Sequence, residues 1–159
     1  MTDQSFTTAF TVEQTPDAAF AAINNVRGWW SEDISRPTDQ AGQAFKYRFH
    51  DIHRCEIRVT ELVPGKRVAW LVLDNYFNFT RDDTEWTGTQ IVFDITRKDG
   101  LTEVRVTHLG LVPEYECYDA CTNGWTTYVN GSLRDLIMTG KGQPNVGEPM
   151  NETERALAS

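Results

Sequence analysis

The sequence holds few residues that could do chemistry, and His108 is the most informative. It ends the alternation Val104, Val106, His108, so the period that sends two valines into a core sends the imidazole with them. A buried imidazole needs a hydrogen-bond partner, and burial disfavours its charged form. In order of expectation it is a satisfied core histidine, then a polar anchor for a ligand, then a general acid or base. Cys117 and Cys121 stand four apart on one helical face and with His108 would make a three-ligand metal set. That step inside a continuous helix is not the usual structural-zinc spacing, so small buried thiols are expected instead. Glu114, Glu116 and Asp119 beside them oppose the lowered pKa of a reactive thiol. His50, His53 and Cys55 cluster at a hairpin and meet the same objection. Asp82, Asp83 and Glu85 read as a solvated loop tip. With no nucleophile elbow, phosphate-binding glycine loop or paired metal motif, no residue is assigned as catalytic or metal-binding, and no cofactor is expected.

The remaining signal is aromatic. Trp, Tyr and Phe make up 11% of the chain, and many fall on inward positions where Leu and Ile would be commoner, which fits a cavity wall for a flat or amphipathic ligand. The candidate ligand-binding set is Trp30, Phe45, Tyr47, Trp70, Phe79 and Phe93, joined by His108, Cys121, Trp125 and Tyr128.

The elements that must position these residues follow from periodicity. Phe6, Thr8, Phe10 and Val12 share one face of a first strand. Thr15 as N-cap and Pro16 at the first helical position open a helix toward Asn25, and Arg27 to Trp30 form a short helix or turn. After a polar stretch with Pro37 and Gly42, Phe45, Tyr47 and Phe49 alternate inward, as do His53, Cys55, Ile57 and Val59. Val68 to Leu73 is apolar on both faces, and Asp74 to Glu85 reads as a long loop or hairpin extension. Ile91, Phe93 and Ile95 mark a fifth strand, Asp99-Gly100 a hairpin turn, and Val104 to His108 a sixth. From Glu114 to a glycine cap at Gly140 the period becomes helical through Cys117, Cys121, Trp125, Tyr128, Ser132 and Leu136. One curved antiparallel sheet of about six strands gripping a long C-terminal helix is therefore expected, an α+β, helix-grip arrangement with room for a cavity.

Several motifs on these elements carry a resemblance. Glu85-Trp86-x-Gly88-Thr89, Thr107-His108-x-Gly110-Leu111, Glu116-Cys117-x-x-x-Cys121-x-x-Gly124-Trp125, Ser132-Leu133 and Gly140-x-Gly142-x-Pro144 resemble the bacterial branch of the proteins related to the activator of the Hsp90 ATPase, in the START-like (SRPBCC) superfamily. The resemblance implies one START-like domain over residues 1–144, with 145–159 as a polar tail. It also implies a ligand-binding cavity or, in other members, cyclase, dehydratase or hydrolase chemistry, for which His108 with Tyr47 or Tyr128 would be the candidates here. A chaperone cofactor acting through its surface is the third implication.

Charge and composition limit the partners. A formal charge of -8 with scattered basic residues argues against nucleic acid and anionic membranes. The longest apolar run, Val68 to Leu73, is too short to span a bilayer, and Met1 to Phe10 lacks the basic and apolar regions of a signal peptide. A cytoplasmic protein with free thiols is expected, its partner a small hydrophobic or aromatic ligand, with a homodimer left open. The helical period puts Trp125 on the face opposite Phe93 and His108, with Gly124 allowing close approach of helix to sheet. Trp125→Ala should then destabilise the fold by about 3–5 kcal/mol, measured by denaturant unfolding.

Overall fold

The computed structural model describes residues 5–35, 38–147, 149 and 151–158. Pro37 and the first four residues, part of the signal-peptide reading, lie outside them. Six strands, β1 (Phe6–Val12), β2 (Ala44–Phe49), β3 (His53–Val63), β4 (Arg67–Phe77), β5 (Gln90–Lys98) and β6 (Leu101–Leu109), form one antiparallel sheet in the order β1-β6-β5-β4-β3-β2. The sheet curves around a long C-terminal helix, so the α+β helix-grip architecture read from periodicity is the observed one. No helix among the described residues is long and apolar enough to cross a membrane.

Two features of the ladder open space inside the curve. The β3–β4 pairing shifts register between Glu56 and Ile57 and again between Val59 and Glu61, and such irregularities bend strands. β4 pairs with β5 only over Arg67–Leu71, while its far half pairs with β3 alone as far as Phe77 opposite His53. The expected loop from Asp74 therefore begins later, at Asn78. Asp74 and Asn75 look like loop residues in sequence, but Asn75 is buried because its amide meets the imidazole of His53. Where β4 leaves β5, the loop that follows folds back and buries Trp86.

Helix α1 (Pro16–Asn24) is capped as expected, with Thr15 Oγ1 accepting from the Ala18 amide at 3.1 Å. It buries Ala19 and Ile23 and leads through a single 3-10 turn, Val26–Gly28, to Trp29 and Trp30. The indoles of Trp29 and Trp30 lie nearly parallel to that of Trp70 at centroid distances of 6.3 and 6.1 Å, and Phe93 stands edge-on to Trp70 at 4.8 Å. This aromatic stack is the centre of the core.

The C-terminal helix runs as α2 (Tyr118–Trp125), a π-helical stretch (Thr126–Leu133) and α3 (Arg134–Thr139). It starts at Tyr118 rather than Glu114 because a side chain from elsewhere takes the first amides. Glu85 accepts from Glu116 N at 2.9 Å and from Cys117 N at 3.1 Å, a carboxylate placed where a helix N-terminus favours negative charge. The loop-tip reading thus holds for exposed Asp82 and Asp83 and fails for Glu85. The wider π turn shifts the phase of the helix, so Tyr128, Val129, Ser132 and Leu133 are all buried and Leu136 is only half-buried.

Past Gly140 the chain does not trail away. A side chain at Gly142 would overlap the Gly28 and Ser132 carbonyl oxygens, so only glycine lets this segment pass. Ser132 Oγ then accepts from Gln143 N at 2.6 Å, Asn145 N donates to Trp30 O and Glu32 N to Asn145 O, both at 2.9 Å. The segment expected as a loose polar tail carries helix α4 (Glu152–Ala158) back onto α2, where Asn123 Nδ2 donates to Thr153 Oγ1 at 2.6 Å.

Gly110 makes the tightest demand near β6. Its φ is +98°, and an added Cβ would stand 2.9 Å from Thr89 Cγ2. Gly110→Ala should cost about 1–3 kcal/mol in denaturant unfolding. Adding Thr89→Ser, which removes only the clashing methyl, should recover part of that loss and leave the backbone-strain part.

Candidate ligand cavity

His108 is fully buried at 0% exposure and both ring nitrogens are engaged. Trp125 Nε1–H can only donate, and it reaches His108 Nδ1 at 3.1 Å. The neutral ring then carries its proton on Nε2 and donates it to Thr89 Oγ1 at 2.8 Å, and Thr89 Oγ1 donates in turn to the Trp86 carbonyl. Burial, reinforced by His53, holds the His108 pKa down to about 3. The Trp86 ring stands edge-on to His108 at 4.7 Å and parallel to Trp125 at 5.7 Å. One imidazole thus ties β6, the β4–β5 loop and α2 into a fixed arrangement.

Outside this lock lies a cavity of about 80 Å³, room for roughly two to three water molecules. Trp30 and Tyr47, stacked at 4.3 Å, form one wall, and Trp86 with Trp125 forms another. Phe49, Ile52, Phe77 and Phe79 extend it along β2, β4 and the loop after each, Ala120, Cys121 and Gly124 give the helix side, and Thr153, Glu154 and Leu157 of α4 lie at the cavity from the end of the chain. Gly124 does not mediate close approach as expected: an added Cβ would meet no atom within 4 Å, so its missing side chain contributes open space to the cavity.

Two polar groups mark the wall. His53 faces Asn75, whose Nδ2 donates to the Asp83 carbonyl at 3.3 Å and so leaves Oδ1 to accept from His53 Nε2 at 2.8 Å. His53 Nδ1 is therefore a lone-pair acceptor, and burial lowers the His53 pKa to about 4 against the opposing Asn75 bond. At the α4 side, Tyr128 Oη donates to Glu154 Oε2 at 2.7 Å and accepts from Asn145 Nδ2 at 3.1 Å. Burial and then the Glu154 charge push the Tyr128 phenol pKa up, and burial does the same first for Tyr47 and for Cys121. The groups of the wall that titrate upward are thus protonated and neutral near pH 7.

Comparison with known proteins agrees with this architecture. The family model described as Activator of Hsp90 ATPase homolog 1-like protein matches residues 15–137. The chain belongs to this family. The solution structure of the Aha1 dimer from Colwellia psychrerythraea is 26% identical, with a TM-score of 0.69 over 89% of this chain and all of that one. Crystal structures of DynU16, a putative protein in the dynemicin biosynthetic locus, and of MLL2253 from Mesorhizobium loti share the fold at 19% and 13% identity, with a TM-score of 0.63 for each. The DynU16 match covers 89% of this chain and 49% of that one, and the MLL2253 match 83% and 96%. No curated protein shows a significant sequence match.

Of the candidate residues, Trp30, Tyr47, Phe79, Cys121, Trp125 and Tyr128 line the cavity. Phe45, Trp70, Phe93 and His108 do not: the first three complete the aromatic core under α1, and His108 is sealed behind Trp86 and Trp125. An imidazole with both nitrogens occupied and no exposed surface has no free site for a ligand or a proton relay. Among the described residues no three His, Cys, Asp or Glu side chains come together as a metal site, and Cys55, Cys117 and Cys121 are buried free thiols. His53, Trp86 and Glu154 are the site residues that pattern reasoning passed over. His53 was already on an inward face. Trp86 was hidden among polar loop neighbours, although it sits in the Glu85 to Thr89 stretch that carries part of the resemblance. Glu154 belongs to a stretch of good helix formers that seven residues alone do not stabilise.

The two histidines make stability pH-dependent. Both have folded pKa values below the unfolded value of 6.5, so the unfolded chain binds protons first as pH drops. Their contribution is fully present above about pH 6.5 and is lost as pH falls toward about 4 and then about 3, at up to ~1.4 kcal/mol per pH unit for each ring. Unfolding free energies from pH 7.5 to 4 should show this fall. His53→Gln, which keeps a donor for Asn75, should remove about half of the slope.

Proposed function

We propose that this chain binds a small hydrophobic or aromatic molecule in the cavity between the sheet and the C-terminal helix. The cavity itself carries the reading. Protein interiors leave few voids larger than a water molecule, yet here about 80 Å³ stays open beside aromatic rings that line it, and a glycine faces it where a side chain would help to fill it. The ionisable groups of β3, β2 and α2 at the wall favour their neutral forms near pH 7, and His108 is committed to structure, which supports binding rather than turnover. Three buried free thiols support a cytoplasmic setting.

A second reading, a cofactor acting on a chaperone ATPase through its surface, is favoured by the family match and by the Colwellia structure. That relative is described as a dimer, which supports self-association of this chain into a homodimer as part of either reading.

The test is to fill the cavity. Added to the wild-type protein, toluene should shift the indole N–H resonances of Trp30, Trp86 and Trp125 saturably. Gly124→Leu should abolish those shifts while preserving the fold, and Gly124→Ala should weaken binding while gaining up to ~1 kcal/mol of stability from better helix propensity. Absence of any saturable shift in the wild type, or unchanged binding by a folded Gly124→Leu variant, contradicts the reading. If pocket filling leaves partner-stimulating activity intact while toluene binding is lost, the surface reading is the one that describes that activity.

A further inference from the structure

Five side chains at the cavity wall end in an indole N–H or a phenol O–H: Trp30, Tyr47, Trp86, Trp125 and Tyr128. Three of those donors are taken or closed off. Trp125 Nε1–H goes to His108, Tyr128 Oη–H goes to Glu154, and Trp86 Nε1 is sealed inside the protein with no hydrogen-bond partner. Trp30 Nε1 and Tyr47 Oη make no hydrogen bond to any described residue, and unlike Trp86 Nε1 neither is sealed off. Their side chains are 3% and 4% exposed, so a partner for these donors must come through the space they line. Burial first, and then Tyr128 and Glu154 of the same cavity, keep the Tyr47 phenol protonated, which sets its oxygen on the cavity side. Trp30 acts on that phenol through its own polar end, and the two rings stack at 4.3 Å, so both donors lie side by side.

What these two tips require is an acceptor. An indole N–H can only donate, and a phenol that resists ionisation keeps a proton to give. A guest that displaces water from both donors and offers no acceptor forfeits both bonds. Charged guests fit poorly. Trp30 stacks on Tyr47 and Trp86 on Trp125, so these ring faces are turned to one another rather than to a cation. No Lys or Arg is among the described residues lining the space, and the net charge of -8 opposes an anion. Among neutral groups, a carbonyl oxygen has two lone pairs and no proton, so it satisfies both donors and leaves nothing unpaired. A hydroxyl would bring a further proton that needs an acceptor of its own. At about 80 Å³ the space limits the guest to a single ring.

We infer that the cavity selects a neutral one-ring aromatic carbonyl compound, an aldehyde or small ketone, whose oxygen accepts from Trp30 Nε1–H and Tyr47 Oη–H. The inference rests on the ligand-binding reading above and names the chemical class of its guest. Specificity then lies with β2 and the turn after α1, while Phe49, Ile52, Phe77 and Phe79 supply apolar surface for the ring.

The test compares benzaldehyde with styrene, which has nearly the same shape with a methylene in place of the carbonyl oxygen. In titrations followed by the indole resonances of Trp30, Trp86 and Trp125, benzaldehyde should bind at least as tightly as styrene, although water holds it more strongly. Tyr47→Phe, which removes one donor and keeps the stacked ring, should weaken benzaldehyde binding about three- to tenfold and leave styrene unchanged. The carbonyl stretch of bound benzaldehyde should fall below its value in an apolar solvent and recover part of the way in that variant. Should Tyr47→Phe fail to fold, the stretch and the two affinities in the wild type decide alone. An unshifted stretch, weaker binding of benzaldehyde than of styrene, or a folded Tyr47→Phe that binds benzaldehyde as the wild type does overturns the carbonyl class and leaves the apolar site standing. If benzaldehyde, styrene and toluene all fail to bind, the ligand-binding reading itself falls and the carbonyl class with it.

Discussion

The hydrogen-bonded run from Trp125 through His108 and Thr89 to the Trp86 carbonyl is the constraint on which the rest of the site depends. Each link is between groups buried away from water, so leaving any of them unpaired would cost about 1–3 kcal/mol. The run requires the neutral imidazole in one tautomer, and burial enforces that form. It joins segments that are far apart in sequence, and it fixes the planes of two indoles that form one wall of the cavity. Gly110 belongs to the same constraint, since the chain must turn beside Thr89 where no Cβ fits.

From that fixed wall the cavity follows as a consequence of how the sheet divides. β4 serves two neighbours over its first half and one over its second, so the sheet opens toward the β3–β4 end, and Ala120, Cys121 and Gly124 of α2 give the helix side of the space left there. Trp29, Trp70 and Phe93 fill the other end completely. The open end is left to Trp30, Tyr47, Phe77 and Phe79, and α4 covers it from outside, seated by Glu154 on Tyr128 and by Thr153 on Asn123. The cavity is thus walled by strongly held elements and by one short helix held mainly by side-chain contacts, which is the side from which exchange with solvent would be least costly.

What could be read in the sequence was whatever a period of two or of 3.6 reports. Alternation placed Phe45, Tyr47, His53 and His108 on the inner face, and the Thr15-Pro16 cap and Gly140 were legible from their local chemistry. Features set by tertiary partners were not. Asn75 reads as a loop residue until His53 is opposite it, Glu85 as solvent-facing until two helix amides point at it, and α4 as a tail until Tyr128 receives it. The same limit applies within the candidate set. Inwardness is visible from periodicity, but whether an inward ring meets another ring, as Trp70 does, or an empty space, as Trp125 does on one side, depends on how the layers close. The motifs behind the family resemblance prove to be mainly the parts of the lock: Trp86, Thr89, His108, Gly110 and Trp125.

The two buried histidines have separate tasks, His108 holding the wall and His53 lining the cavity with its Nε2–H given to Asn75. A long-range proton–nitrogen spectrum of the imidazoles, recorded between pH 7.5 and 5 and again with a saturating cavity ligand, tests that division directly. Both rings should appear as the Nε2–H neutral tautomer with no titration near 6.5, and ligand should move the Nδ1 signal of His53 while leaving His108 in place. A His108 that titrates near its ordinary value, carries its proton on Nδ1, or shifts with ligand as much as His53 does would contradict the account.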